Sequence, residues 1–420
     1  MIEPSLSIES LQAEATRELG KWTGSAAGWS AAAPGRVNVI GEHTDYNGGW
    51  VLPMAIDRYT VLVAAPGLEA DHIRFRSLSL DEQSAVSLSS LSELSDDKWV
   101  RYLQGVLVEY ADRHIVCPPL DIVVASNVPV GGGLSSSAAL ELAMAHLIEA
   151  VTEATLSTRE RIRAAVSAER DSAGVPCGTM DQMVVEQGRQ GCVLLLDCAQ
   201  DLISSIIPCH APEIAWLVIH SGVSHSLADG AYAQRRTECK MICEALQLGS
   251  LRDVTPEMIT TLSLELPSKL LPEGSSEWSS ERSSKWSSKW PLEEVLHRRA
   301  RHVVTENQRV LAAAEALHSA NWPTLGRLLL ESHQSLRDDY EVSCEELDVL
   351  VELAQSHDDV FGARMTGGGF GGCVVALVNR EALSSVTTSM SQRYAQQFGV
   401  SPRCYWVNPT SGADVCAVSS

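Results

Sequence analysis

The sequence predicts an α/β protein with two domains, and three observations point there. Its 420 residues suffice for two cores of ordinary size. Short apolar, strand-like runs alternate with helical stretches along the chain. A glycine- and serine-rich loop at 129–137 joins one such strand to one such helix, a junction that lets backbone N–H groups converge on a ligand.

In order, residues 8–22 have the spacing of an amphipathic helix, and 50–66 read as strand. The run Leu120–Ala125 marks a buried strand within 119–128. After the loop, Ala138–Ala150 is rich in Ala, Leu and Met and reads as helix. A helix follows at 158–172 and a strand at Cys192–Asp197. The second half opens on the apolar run Ile214–Ile219, then shows helices near 229–247, 292–320 and 322–335. Gly367–Gly372 leads into a last strand, Cys373–Val378. A boundary near residue 205 divides the chain into 1–205 and 206–420. Residues 275–290 repeat Ser-Ser-Glu-Trp, Ser-Ser-Glu-Arg, Ser-Ser-Lys-Trp and Ser-Ser-Lys-Trp. That low-complexity stretch, at about 267–292, reads as a surface insertion or, alternatively, a Trp-bearing docking tag.

The net charge of -21, with no run of Lys and Arg, excludes nucleic acid and anionic membrane as partners. The first twenty residues lack the basic and apolar regions of a secretory signal, and no apolar run is long enough to span a bilayer. Eleven cysteines lie mostly in apolar stretches without zinc-ligand spacing, as expected of reduced thiols in a cytoplasm.

Four segments carry chemistry. Residues 34–56 hold Arg36, Glu42, His43 and Asp45 among glycines. Carboxylates suit vicinal sugar hydroxyls because each oxygen accepts hydrogen bonds; a solvated polar turn would look the same. In Val128–Glu141, three glycines and three serines precede a helix, whose dipole favours an anion at the loop. No Lys follows, so this is not a Walker A loop. Met365–Gly372 contains G-x-G-x-x-G spacing, but a strand follows it, which argues for a tight turn against another loop and against a dinucleotide site. In Ser167–Gln182, Glu169 ends a helix and Asp181 follows a bend containing Gly and Pro; alone it is equally a capping or surface residue.

Together these segments resemble the galactokinases of the GHMP small-molecule kinase superfamily: Arg36–Tyr46 like their sugar signature, Val128–Glu141 like the phosphate loop, Arg364–Gly372 like the third motif. The likeness extends to Pro176–Gln182, Ser224–Arg236 and Leu328–Leu347. It implies the two-lobed GHMP fold, with a mixed sheet and phosphate-loop helix in the N-terminal lobe, a ferredoxin-like C-terminal lobe and the active site between them. The implied reaction is galactose plus ATP giving galactose 1-phosphate and ADP, the first committed step of galactose breakdown by the Leloir pathway. The implied base is Asp181, with Arg36 beside it. Arg36, Glu42, His43, Asp45, Gly178, Asp181 and Tyr232 would bind galactose. Trp99 would lie near the adenine, and Gly131, Gly132, Gly133, Leu134, Ser135, Ser136, Ser137 and Ala138 would form the ATP loop. Ser137 and Glu169 would hold Mg2+. Galactose and ATP are the partners implied, and the chain is expected to be a cytoplasmic monomer. Relatives commonly carry His where Arg170 stands and an aromatic where Ser172 stands, which bears on the metal site. The alternatives are a non-catalytic galactose and ATP sensor, or a kinase for a related sugar such as N-acetylgalactosamine; the intact Ser135–Ala139 stretch and Asp181 favour the enzyme.

Overall fold

Two sheets, joined by strands exchanged at the chain ends, set the architecture of the computed structural model. It describes residues 2–418 apart from 4, 210, 225–227, 256 and 260–290. The Ser/Trp repeat, and most of the insertion expected around it, lie outside the described residues.

The first part of the chain runs β1 (Ile2–Glu3), α1 (Ile8–Thr23), β2 (Trp29–Asn38), β3 (Trp50–Val51), β4 (Pro53–Pro66), β5 (His72–Ser77), β6 (Glu82–Ser87), α2 (Lys98–Asp112) and β7 (Leu120–Ser126). Then come α3 (Ser136–Thr152), α4 (Thr158–Ser167), α5 (Met180–Gln187), β8 (Cys192–Asp197), β9 (Leu202–Pro208) and β10 (Ile214–Ser224). The rest comprises α6 (Ala228–Leu246), α7 (Leu292–His318), α8 (Trp322–Asp338), α9 (Glu345–Gln355), β11 (Val360–Thr366), β12 (Gly371–Asn379), α10 (Leu383–Phe398), β13 (Arg403–Val407) and β14 (Asp414–Cys416).

A six-stranded sheet has the order β14-β2-β4-β7-β5-β6, and a five-stranded sheet has β1-β13-β10-β12-β11. The short β3 joins β8 and β9 in a third sheet. Only β1 with β13 and β5 with β7 are parallel pairs among the described strands. The ends cross over: β1 belongs to the sheet of the second half, while β14 returns to pair with β2. Residue 205, near which the division was expected, lies within β9.

Several elements follow directly from local pattern. β7 is an apolar run buried between β4 and β5. α4 starts in a capping box, with Ser157 and Glu160 each satisfying the other's backbone N–H. The helix expected over 158–172 instead changes form, continuing from α4 into a π-turn at Ala168–Ser172. β2 was not apparent from sequence, because Ala, Pro and Gly are poor strand formers. Pairing with β4 on one side and β14 on the other nevertheless makes it a strand, buried at every residue after Trp29. Arg36 therefore projects from a core strand. One apolar cluster runs from β2, α2 and α3 to Val218, Val375 and Tyr405 of the second sheet, so the lobes share a core.

Candidate active site

Arg36 reaches Asp181 across 145 residues of sequence. Its Nε donates to Asp181 Oδ1 at 2.8 Å and its Nη2 to Oδ2 at 2.7 Å, the bidentate fork that fits guanidinium to carboxylate. Nη1 donates to the Gly133 carbonyl of the phosphate loop. Arg36 is only 5% exposed. Burial acts against its charge, but Asp181 and Glu42 outweigh this and hold its pKa above the usual value.

Asp181 lies in the first turn of α5, where sequence suggested only the end of a bend. The N-terminal dipole of a helix favours a carboxylate there. Ser135 supplies a further donor, its Oγ lying 2.5 Å from Asp181 Oδ2. Ser135 precedes α3 in a left-handed conformation (φ 57°) and makes no side-chain cap, so its hydroxyl serves the Asp181 carboxylate instead of the helix.

All seven residues expected to hold the sugar, Arg36, Glu42, His43, Asp45, Gly178, Asp181 and Tyr232, line one cavity of about 180 Å³. Gly178 is required by space: a Cβ there would lie 1.7 Å from Asp45 Oδ2. Glu42 is 2% exposed and already engaged. Its Oε1 accepts from Thr366 Oγ1 at 3.0 Å and from the Gly367 N–H at 2.6 Å, and Asn38 Nδ2 donates to Oε2. Glu42 thus also locks the sugar segment to the third motif.

Burial, reinforced by Asp181, raises the Asp45 carboxyl to about 6. With the folded pKa above the unfolded one, this group's stability contribution is greatest in acid and fades as pH rises from about 4 through 6. Affinity for a hydroxyl-bearing ligand in this cavity should run the opposite way, because only the carboxylate accepts through all its lone pairs. The KM for such a ligand is expected to rise as pH falls below about 6. Asp45→Asn should abolish that limb of the profile; an unchanged limb assigns it to another group.

A second cavity, of about 530 Å³, adjoins the first. Trp99, Gly131, Gly133, Ser135, Ser136 and Ser137 line it. Leu134 and Ala138 instead sit in the core, and Gly132 faces His220. The third motif is the hairpin between β11 and β12, a strand on each side. Its Gly367 (φ 90°) packs on Gly133, where a Cβ would come within 2.9 Å of the Gly133 Cα. Arg36, Glu169, Val175, Asp181 and Gly368 line both cavities, so the paired Arg36 and Asp181 stand at their junction.

Glu169 occupies the π-turn, 5% exposed. Burial, then Asp181, raises its pKa, with hydrogen bonds to Ser137 and Cys177 opposing. Gln182 Nε2 donates to Glu169 at 2.5 Å and to Glu141 at 3.1 Å. Sequence reasoning missed Glu141 and Gln182, although both end quoted motifs. Glu141 Oε1 and Gln182 Oε1 are buried without partners. A serine hydroxyl and a buried carboxylate opening on the larger cavity suit Mg2+, which takes hard oxygen ligands and typically completes its shell with phosphates and water. Among the described residues no group of three or more His, Cys, Asp or Glu forms a preformed metal cage.

The two departures from relatives have local accounts. Arg170 donates to the Cys177 carbonyl from Nε and Nη2, at 3.1 and 2.8 Å, just before Gly178. Arg236 donates to the same carbonyl at 3.2 Å. Ser172 packs over Gly105 of α2, where a Cβ would lie 2.9 Å from the Ser172 Cβ.

Comparison with known proteins bears on the same segments. Residues 21–66 match the galactokinase galactose-binding signature, 101–189 the GHMP kinase N-terminal domain, and 313–396 the GHMP kinase C-terminal domain. A galactokinase of Canis lupus familiaris is 40% identical over 411 residues, covering 96% of each chain. The crystal structure of Lactococcus lactis galactokinase complexed with galactose superposes with a TM-score of 0.82 at 28% identity, over 95% of this chain and 98% of that one. A Methanococcus jannaschii mevalonate kinase, at TM-score 0.58 and 16% identity over 91% and 98% of the two chains, shares the fold.

Proposed function

The chain belongs to the galactokinase family of GHMP kinases and phosphorylates galactose, and we propose that Asp181 and Arg36 carry the transfer. The observation that carries this assignment is their placement as a bidentate pair where the two cavities meet.

The smaller cavity is the galactose site. Glu42, His43, Asp45, Gly178 and Tyr232 line it, and the anomeric hydroxyl points toward Asp181. The larger is the ATP site, with Trp99 beside the adenine and the Gly131–Ser136 loop around the phosphates. The start of the seventeen-residue α3 adds free N–H groups and a positive dipole end for that anion. The loop's other members, Gly132, Leu134 and Ala138, shape it from behind.

As the sugar oxygen forms its bond to the terminal phosphorus, the bond to the ADP oxygen breaks and the hydroxyl proton passes to Asp181. A carboxylate paired with a guanidinium is a weak base. That suffices, because the transition state is loose and depends more on alignment and charge stabilisation than on early deprotonation. Arg36 orients Asp181 and adds positive charge beside the moving phosphoryl group. Ser137 and Glu169 would hold Mg2+, which supplies further neutralisation of the phosphates.

No helix among the described residues is long and apolar enough to cross a membrane, and all eleven cysteines are free. The free thiols support a reducing compartment and hence the cytoplasm.

The test is ADP release by the purified protein with ATP, magnesium and galactose, 2-deoxygalactose, N-acetylgalactosamine, glucose or mannose. Turnover on galactose with little on glucose is expected. No turnover on any sugar, with galactose still raising the melting temperature, would replace the enzyme by a sensor.

A further inference from the structure

Between the π-turn and α5 the chain runs through an irregular loop that walls the galactose cavity: Val175, Pro176, Cys177 and Gly178 all line it. Gly174, Val175 and Pro176 are exposed. The Val175 N–H donates to the Glu169 carbonyl at 3.0 Å, and the Cys177 N–H to the Val175 carbonyl at 2.9 Å. These ties are local to the loop, so its depth against the rest of the cavity must be set by side chains from outside it.

Two arginines meet on one backbone group there. The Cys177 carbonyl accepts from Arg170 Nε and Nη2 at 3.1 and 2.8 Å, and from Arg236 Nη1 at 3.2 Å. Hydrogen bonds from charged donors are the stronger kind. The guanidiniums arrive from different elements, Arg170 from the π-turn that carries Glu169 and Arg236 from α6, one turn beyond Tyr232. Arg236 also stands over the Tyr46 ring, 5.4 Å from its centroid. It therefore fastens the loop to the sugar segment and to the helix that bears Tyr232. Neither arginine lines either cavity, so both act through the backbone.

The wall they hold has no slack. The Cys177–Gly178 peptide is trans and planar, so whatever fixes its carbonyl also fixes the Gly178 Cα on its far side. That Cα lies against Asp45: a Cβ on it would come within 1.7 Å of Asp45 Oδ2 and 2.6 Å of the carboxyl carbon. A peptide that tilts or slides either collides with Asp45 or widens a cavity of only about 180 Å³.

We propose that Arg170 and Arg236 are positioning residues: sharing the Cys177 carbonyl, they fix the Cys177–Gly178 wall against Asp45 and so tighten the binding of galactose without taking part in the transfer. This rests on the smaller cavity being the galactose site. It also gives a role to Arg170, one of the two departures from relatives.

The test uses a feature of the sequence, in which Cys177–Gly178 is the only Cys-Gly step. Full-length protein labelled with 13C at cysteine carbonyls and 15N at glycine gives one signal for that peptide by NMR. Saturating galactose should shift it in the wild type. In Arg170→Met and in Arg236→Met the carbonyl resonance should move upfield before sugar is added, as a carbonyl that loses donors does. Galactose KM should rise about tenfold in each, the order expected for lost charge-assisted hydrogen bonds, with kcat and ATP KM within about twofold. Arg170→Lys keeps the charge without the fork and should recover only part of the loss. A merely structural role would lower the melting temperature and leave galactose KM in place. A signal unmoved by galactose overturns the proposal, and so does an unchanged galactose KM in either methionine variant. Arg170 is exposed, so its variant decides even if that of Arg236 does not fold. A protein that phosphorylates galactose with this signal unmoved sinks this proposal alone, whereas one that phosphorylates no sugar sinks the galactose reading.

Discussion

Asp181→Asn lowers kcat on galactose by about 10²–10⁴-fold, the range for loss of a positioned general base. Asparagine keeps the size of the side chain and one acceptor oxygen for Arg36 or Ser135, but cannot take the anomeric proton. Alanine is the poorer choice. It would leave Arg36, 5% exposed, without its counter-ion, and an uncompensated buried charge costs about 3–5 kcal/mol. With asparagine, a melting temperature within a few degrees of wild type separates chemistry from folding. Galactose should still bind, since Glu42, His43, Asp45 and Tyr232 remain. The check is ADP release at saturating galactose and ATP; a kcat within about tenfold of wild type would remove Asp181 as the base.

Arg36→Met should lower kcat by about 10²–10³-fold, the usual effect of losing one preorganised electrostatic group. The side chain does two jobs that methionine cannot: its bidentate contact aims Asp181, and its charge faces the acids around it. Without it, Asp181, Glu42 and Asp45 face one another with less opposing charge, since all three contribute to holding the Arg36 pKa up. Asp45, already raised to about 6, should move higher. The melting temperature of this variant is therefore expected to fall below wild type by more at pH 8 than at pH 5, because a raised carboxyl pKa removes stability as pH rises. A difference independent of pH would mean that packing, not charge, is what Arg36 contributes.

Sequence alone determined the pieces whose signals are local. The strand, glycine loop and helix from Leu120 to Thr152 show in order because apolar runs, glycines and helix formers each act within a few residues. The strand at Cys192–Asp197 lies at the residues read from sequence, for the same reason. The sugar segment showed its residue types, but only likeness to a family told a binding site from a polar turn. Tertiary structure decided the rest, because the deciding contacts join distant segments. β2 is a strand through its neighbours β4 and β14, not through the propensities of Ala, Pro and Gly. Arg36 meets Asp181 across 145 residues, and Tyr46 meets Tyr340 across 294. Burial then sets the charge of Asp45 and the neutrality of His43, since desolvation depends on what the fold packs around a group and not on its place in the chain.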